Sequence, residues 1–154
     1  MSNYKKFSKE LYDENDKLAK NTACDFLISK GFILEIPLDE QKEIYKKGDF
    51  YIELKNSNVL VEVERKKVWK KSGEWEGWST IDIPYRKKDS KSNIFIMVNN
   101  SCDTIATIKT EKILESKVQT KDTKYTTDEK FFNVNLDNFY FYYKVKDKWK
   151  RIRN

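Results

Sequence analysis

From Val59 to Lys67 the chain reads Val-Leu-Val-Glu-Val-Glu-Arg-Lys-Lys, a period-two pattern that suits a β-strand and not a helix. In a strand, Val59, Val61 and Val63 share one face, while Glu62, Glu64 and Lys66 share the other. The valine face must be buried, so the strand belongs to a sheet packed against another layer. The opposite face gathers two carboxylates and an ammonium in one row. A row of this kind also arises on the solvated face of an antiparallel sheet, where Glu and Lys pair across strands.

The preceding residues give the row its chemical interest. Gly48 introduces a second run, Asp49 to Lys55, and Lys55-Asn56-Ser57-Asn58 is turn-forming, so the two runs predict a hairpin with Asp49 at its entrance. The Asp49 carboxylate then converges on the row of Glu62 and Glu64. Oxygen ligands from two strands, with no softer donor nearby, suit Mg²⁺ or Mn²⁺. A lysine beside such an ion can orient an attacking water and neutralise developing phosphorane charge.

Composition narrows the chemistry further. The chain has no histidine, which removes the usual serine and cysteine triads, His-ligated zinc and imidazole acid/base catalysis. Its two cysteines, Cys24 and Cys102, lie far apart, against a disulfide framework or thiolate metal site and in favour of a reducing, cytoplasmic setting. No apolar run approaches a bilayer span, so no membrane partner is expected. Charge is uneven: residues 1–64 hold 10 Lys+Arg against 13 Asp+Glu, and the remainder 21 against 12. A basic C-terminal half fits a polyanion, although a lysine-rich solubilising surface has the same composition.

Along the rest of the chain, Leu18, Ala19, Ala23, Phe26 and Leu27 predict a helix over Glu10 to Lys30, stopped by Gly31. Phe32 to Pro37 reads as a short strand and Leu38 to Lys47 as a charged connection. The apolar run Ile94-Phe95-Ile96-Met97-Val98 predicts a buried central strand. One or two strands are expected in Thr104 to Val118, a polar loop in Gln119 to Lys130, and a last strand, or a short helix and strand, in Phe131 to Val145. Lys144 to Arg153 reads as a flexible basic tail, about residues 144–154. The fold class is α/β: one domain over residues 1–154, with a central mixed β-sheet flanked by helices.

Helix, strand, Asp49-led strand and Val-Leu-Val-Glu-Val-Glu-Arg-Lys together resemble the core of the PD-(D/E)XK nuclease superfamily, from Glu10 to Val98. The resemblance implies a restriction-endonuclease-like core, Mg²⁺-dependent (or Mn²⁺-dependent) hydrolysis of phosphodiester bonds, nucleic acid as partner with DNA ahead of RNA, and a homodimer. It implies Asp49, Glu62 and Glu64 as metal ligands and Lys66 as the catalytic lysine, with Glu10 or Glu14 as a further acid. Gly48 stands where the superfamily usually has proline. The acid-x-lysine register stays open: Glu64-Arg65-Lys66 retains the lysine, whereas Glu62-Val63-Glu64 puts Glu64 in its place.

Downstream, Ile83-Pro84-Tyr85-Arg86-Lys87-Lys88 occupies the place of a phosphate-contacting helix or loop. Arg86 suits bidentate phosphate binding and Lys87 and Lys88 supply point charge, or the segment is a solvated turn. Trp69, Trp75 and Trp78 among Lys67, Lys70 and Lys71 combine base-stacking and backbone-attracting groups, unless the indoles are core or rim anchors. The run Phe139-Tyr140-Phe141-Tyr142-Tyr143 is expected to bury one face. The same fold without catalysis would be a nucleic-acid-binding or regulatory protein, and a lysine-rich protein-interaction domain is a third possibility.

Overall fold

The computed structural model describes residues 9–32, 50–54, 57–89, 92–123 and 127–153, and side-chain surroundings for 17–32, 59–89, 92–123 and 127–152. Asp49, residues 33–47, and the side chains of Glu10 and Glu14 lie outside that description.

Helix α1 (Lys9–Ser29) turns Ala19, Ala23, Phe26 and Leu27 to one side, the i, i+4, i+7, i+8 spacing of a buried stripe. Gly31 ends it at φ 93°, with Gly31 N–H donating to Ile28 C=O (3.0 Å) and Phe32 N–H to Leu27 C=O (3.1 Å). This Schellman closure satisfies two terminal carbonyls and needs a residue at ease with positive φ.

Six strands form the main sheet: β1 (Phe50–Leu54), β2 (Ser57–Lys66), β4 (Ile94–Asn99), β5 (Thr104–Lys109), β8 (Tyr140–Val145) and β9 (Lys148–Arg153), adjacent in that order. β2 and β4 are parallel, with Val61 opposite Ile94, and the other neighbours are antiparallel. A smaller antiparallel sheet contains β3 (Thr80–Pro84), β7 (Glu129–Asn135) and β6 (Lys117–Lys121) in the order β3-β7-β6. The short helix α2 (Thr110–Leu114) joins β5 to β6.

These elements stack in three layers. On one face of the main sheet, Val61, Val63, Ile96, Val98, Ile105 and Trp149 pack with the buried stripe of α1. On the other, Phe95, Met97, Ala106, Ile108 and Phe141 meet Ile81, Ile83, Phe132 and Val134 of the smaller sheet. β4 contributes to both cores in alternation, which is why its sequence is continuously apolar.

The predicted helix, hairpin and central strand are present, and the mixed α/β class holds. Among the described residues the expected helical flank is present on one face, and the second layer over the sheet is itself a sheet. Gln119 to Lys130 is not all loop, since β6 continues to Lys121 and β7 begins at Glu129. Thr104 to Val118 holds one strand, a short helix and the start of β6.

The basic tail is also corrected. Lys148–Arg153 is strand β9, returning from β8 through Lys146 and Asp147, both at positive φ (49° and 66°) as in a type I′ turn. Trp149 anchors that strand: its ring meets Phe26 edge-on, centroids 5.5 Å apart, and its indole N–H donates to Asp25 Oδ2 at 3.0 Å.

Lys144 completes this anchor with a 2.8 Å ion pair to Asp25. The hydrogen bond from Lys144 holds the Asp25 carboxyl below the ordinary carboxylate range, and the same bond raises the Lys144 ammonium. Burial pushes the neighbouring Cys24 thiol up, and the Asp25 charge adds to that. For Asp25, the contribution is full above the unfolded pKa of about 3.9 and is lost as pH falls through the lower folded value. For Lys144, it is full below the unfolded pKa of about 10.4 and is lost as pH rises through the higher folded value. Since the Asp25 side chain is 52% exposed, Asp25→Asn should cost only about 1 kcal/mol near neutral pH. Urea unfolding should show that difference between native and variant proteins shrinking progressively as pH falls below about 3.9.

Candidate site on the carboxylate row of strand β2

The valines of β2 point into the α1 core, so Glu62, Glu64 and Lys66 face the side of the main sheet that carries the smaller sheet. None of the residues of that second core comes from β2. The row therefore lies beside the covered area. Successive members are about 7 Å apart along the strand, as i, i+2 neighbours must be.

Burial and pairing differ along the row. Glu62, 13% exposed, forms an ion pair with Lys87, which the 3₁₀ turn Tyr85–Asp89 carries across from the end of β3. Glu64, at 40%, is open to solvent, with the Lys66 ammonium 4.0 Å away. Arg65 points to the opposite face and donates to Asn100 C=O.

Lys87, expected to supply point charge to a phosphate, is paired with Glu62 within the protein. Its neighbours Arg86 and Lys88 are exposed, and Lys88 Nζ stands 4.7 Å from the centroid of the Tyr85 ring. The turn offers cations to solvent on either side of the one committed to Glu62.

Trp69 is a correction. It is fully buried, packed edge-on to Trp75 with centroids 4.9 Å apart, and its indole N–H donates to Glu74 C=O at 2.9 Å. With no exposed ring face it cannot stack on a base. Lys67, Lys70 and Lys71 are exposed as predicted surface groups, with Lys71 Nζ 3.5 Å from Glu74.

One element of the site has no counterpart in the sequence reading. Asn99, fully buried at the end of β4, accepts from the backbone N–H groups of Asp103 and Thr104 (both 3.0 Å) and donates to Lys71 C=O (3.0 Å) and Asp103 Oδ1 (2.8 Å). Ser72 Oγ donates to Asp103 Oδ2 and Gly73 N–H to Thr104 Oγ1. This node ties the loop after β2 to the β4–β5 turn, next to Lys66. A polar residue ending an apolar run was the only signal for it.

Among the described residues, no group of three or more His, Cys, Asp or Glu is placed to hold a metal ion, and Asp49 lies outside them. Glu62 and Glu64 supply two co-facial carboxylates. Carboxylate oxygens are the donor type that hard divalent ions prefer. Comparison with protein-family models, curated proteins and solved structures finds no match.

The Glu62–Lys87 pair ties the 3₁₀ turn to β2, so its two members are energetically coupled. A double-mutant cycle of Glu62→Gln and Lys87→Met, followed by urea unfolding, should give a coupling of about 1 kcal/mol or more. Additive effects within about 0.3 kcal/mol would place Lys87 in solvent instead.

Proposed function

We propose that this chain is a metal-dependent nuclease that hydrolyses phosphodiester bonds of nucleic acid at the row Glu62, Glu64 and Lys66. The observation that carries this reading is the row itself: two carboxylates and a lysine on one face of a strand whose other face is core, beside a turn presenting Arg86 and Lys88. The resemblance to the PD-(D/E)XK superfamily supports it, and α1, the β1–β2 hairpin and the parallel strand β4 are compatible with a restriction-endonuclease-like core.

In this reading Glu62 and Glu64, together with Asp49, would hold Mg²⁺ or Mn²⁺, which would supply Lewis acidity toward water and the phosphate. Lys66, beside Glu64, neutralises charge developing on the phosphoryl oxygens. Lys87 positions the Glu62 carboxylate. Arg86 and Lys88 take flanking phosphates, Arg86 by its bidentate fork. The acid-x-lysine register that fits this arrangement is Glu64-Arg65-Lys66.

A second reading, non-catalytic nucleic-acid binding on the same scaffold, is favoured by one observation: both carboxylates have a lysine partner, Glu62 with Lys87 and Glu64 with Lys66.

The two separate in a cleavage assay on single-stranded, duplex and branched DNA and RNA with Mg²⁺ or Mn²⁺. Native protein should cleave only with the metal, and Asp49→Ala, Glu64→Ala and Lys66→Met should each lower the rate by roughly 100-fold or more. No cleavage by native protein, with salt-sensitive binding retained in every variant, would reject the nuclease and leave the binding protein.

A further inference from the structure

Of the four tryptophans, one faces solvent. Trp78 is 84% exposed, whereas Trp69 and Trp149 are buried and Trp75 is half-buried. Tryptophan is on average a highly buried residue type, so an indole this exposed is the less usual case.

The loop that presents Trp78 is held at nearly every step. It leaves β2 at Lys66, whose carbonyl accepts from Trp69 N–H at 3.1 Å. Glu76 Oε1 accepts from the backbone N–H groups of Lys70 and Lys71, both at 2.9 Å. The Asn99 node fixes Lys71 to Gly73 from the other side. The Trp75 indole N–H donates to the Trp78 carbonyl itself at 2.8 Å, and Ser79 C=O accepts from Leu136 N–H at 2.9 Å.

Gly77 makes the Trp75 bond accessible. At φ 147° it packs beneath the Trp75 ring, where a Cβ would stand 3.0 Å from Cζ2. Trp78 is therefore an exposed ring on a fixed support.

From this geometry we infer that Trp78 is a stacking platform for an unpaired base, so that the preferred substrate is single-stranded nucleic acid or contains unpaired nucleotides. The inference rests on the proposed nucleic-acid substrate. Lys67 and Lys70, exposed on the same loop, supply backbone attraction, and no ion pair engages either among the described residues. The loop begins where the carboxylate row ends, at Lys66. A base inside a duplex has both faces covered by its neighbours, whereas an unpaired base can offer one to the indole.

The test is equilibrium binding, read by fluorescence anisotropy in EDTA, of an oligothymidylate and of a duplex of the same length. Native protein is compared with Trp78→Ala, Trp78→Phe and Lys70→Ala, each checked for native folding by circular dichroism. Trp78→Ala should weaken single-strand binding by roughly 5- to 100-fold with the salt slope unchanged, since stacking releases no counterions. Trp78→Phe should retain most of the affinity, duplex binding should be indifferent to residue 78, and Lys70→Ala should reduce the salt slope.

Equal single-strand affinity of Trp78→Ala and native protein would overturn the inference. If native protein also cleaves in a metal-dependent manner, the nuclease reading survives that result. Failure of native protein to bind either oligonucleotide, in EDTA and with Ca²⁺ in its place, would overturn the inference, and failure to cleave any substrate with Mg²⁺ or Mn²⁺ as well would remove the nuclease reading.

Discussion

The parallel pairing of β2 with β4 governs the arrangement of nearly everything else in this molecule. Parallel neighbours cannot be joined by a tight turn, so the chain must travel from the end of β2 back to the start of β4, through residues 67–93. That return path carries the tryptophan loop, β3 and the 3₁₀ turn with Arg86, Lys87 and Lys88. In many α/β units a helix makes such a crossover. Here β3 pairs with β7 in a second sheet, so the sheet faces α1 on one side and strands on the other. The row Glu62, Glu64, Lys66 lies along this boundary, framed by the loop that leaves Lys66 and the turn that returns Lys87 to Glu62.

Polar groups, and not apolar packing alone, fix the crossover. Asn99 occupies a fully buried position with its amide bonded on both sides, and removing it would strand two backbone N–H groups in a place water does not reach. The indoles of Trp69 and Trp75 likewise spend their N–H groups on loop carbonyls while their rings enter the second core. Together these contacts hold the loop at successive points from the end of the carboxylate row onward. The Trp75 bond fixes the backbone carbonyl of Trp78, while the Trp78 ring itself projects into solvent.

Patterns that depend on one element were legible in the sequence. The valine-glutamate alternation gave the two faces of β2, the run from Ile94 to Val98 gave a doubly covered strand, and Gly31 marked the helix stop. Features that depend on distant partners were not. Trp69 and Trp78 look alike in a list of residues, yet one is core and the other exposed. Lys87 reaches Glu62 only through the fold. β9 resembled a basic tail because lysines and arginines suit an edge strand that should not pair further, and its Lys146-Asp147 turn lacks the usual Asn-Gly signal. The strands of the smaller sheet are thinly apolar because each buries one face only: Ile81 and Ile83 in β3, Phe132 and Val134 in β7.

The claim that the row on β2 is the functional centre is tested most directly by NMR with sub-stoichiometric Mn²⁺ added to ¹⁵N-labelled protein. Paramagnetic broadening should strike first the amides of Glu62 to Lys66, then those of the parallel neighbours Phe95 to Met97 and of Arg86 to Lys88, while β6 and the β8–β9 turn stay sharp. Broadening centred elsewhere, or none before the metal is in large excess, would contradict the assignment of this row as a metal-binding site.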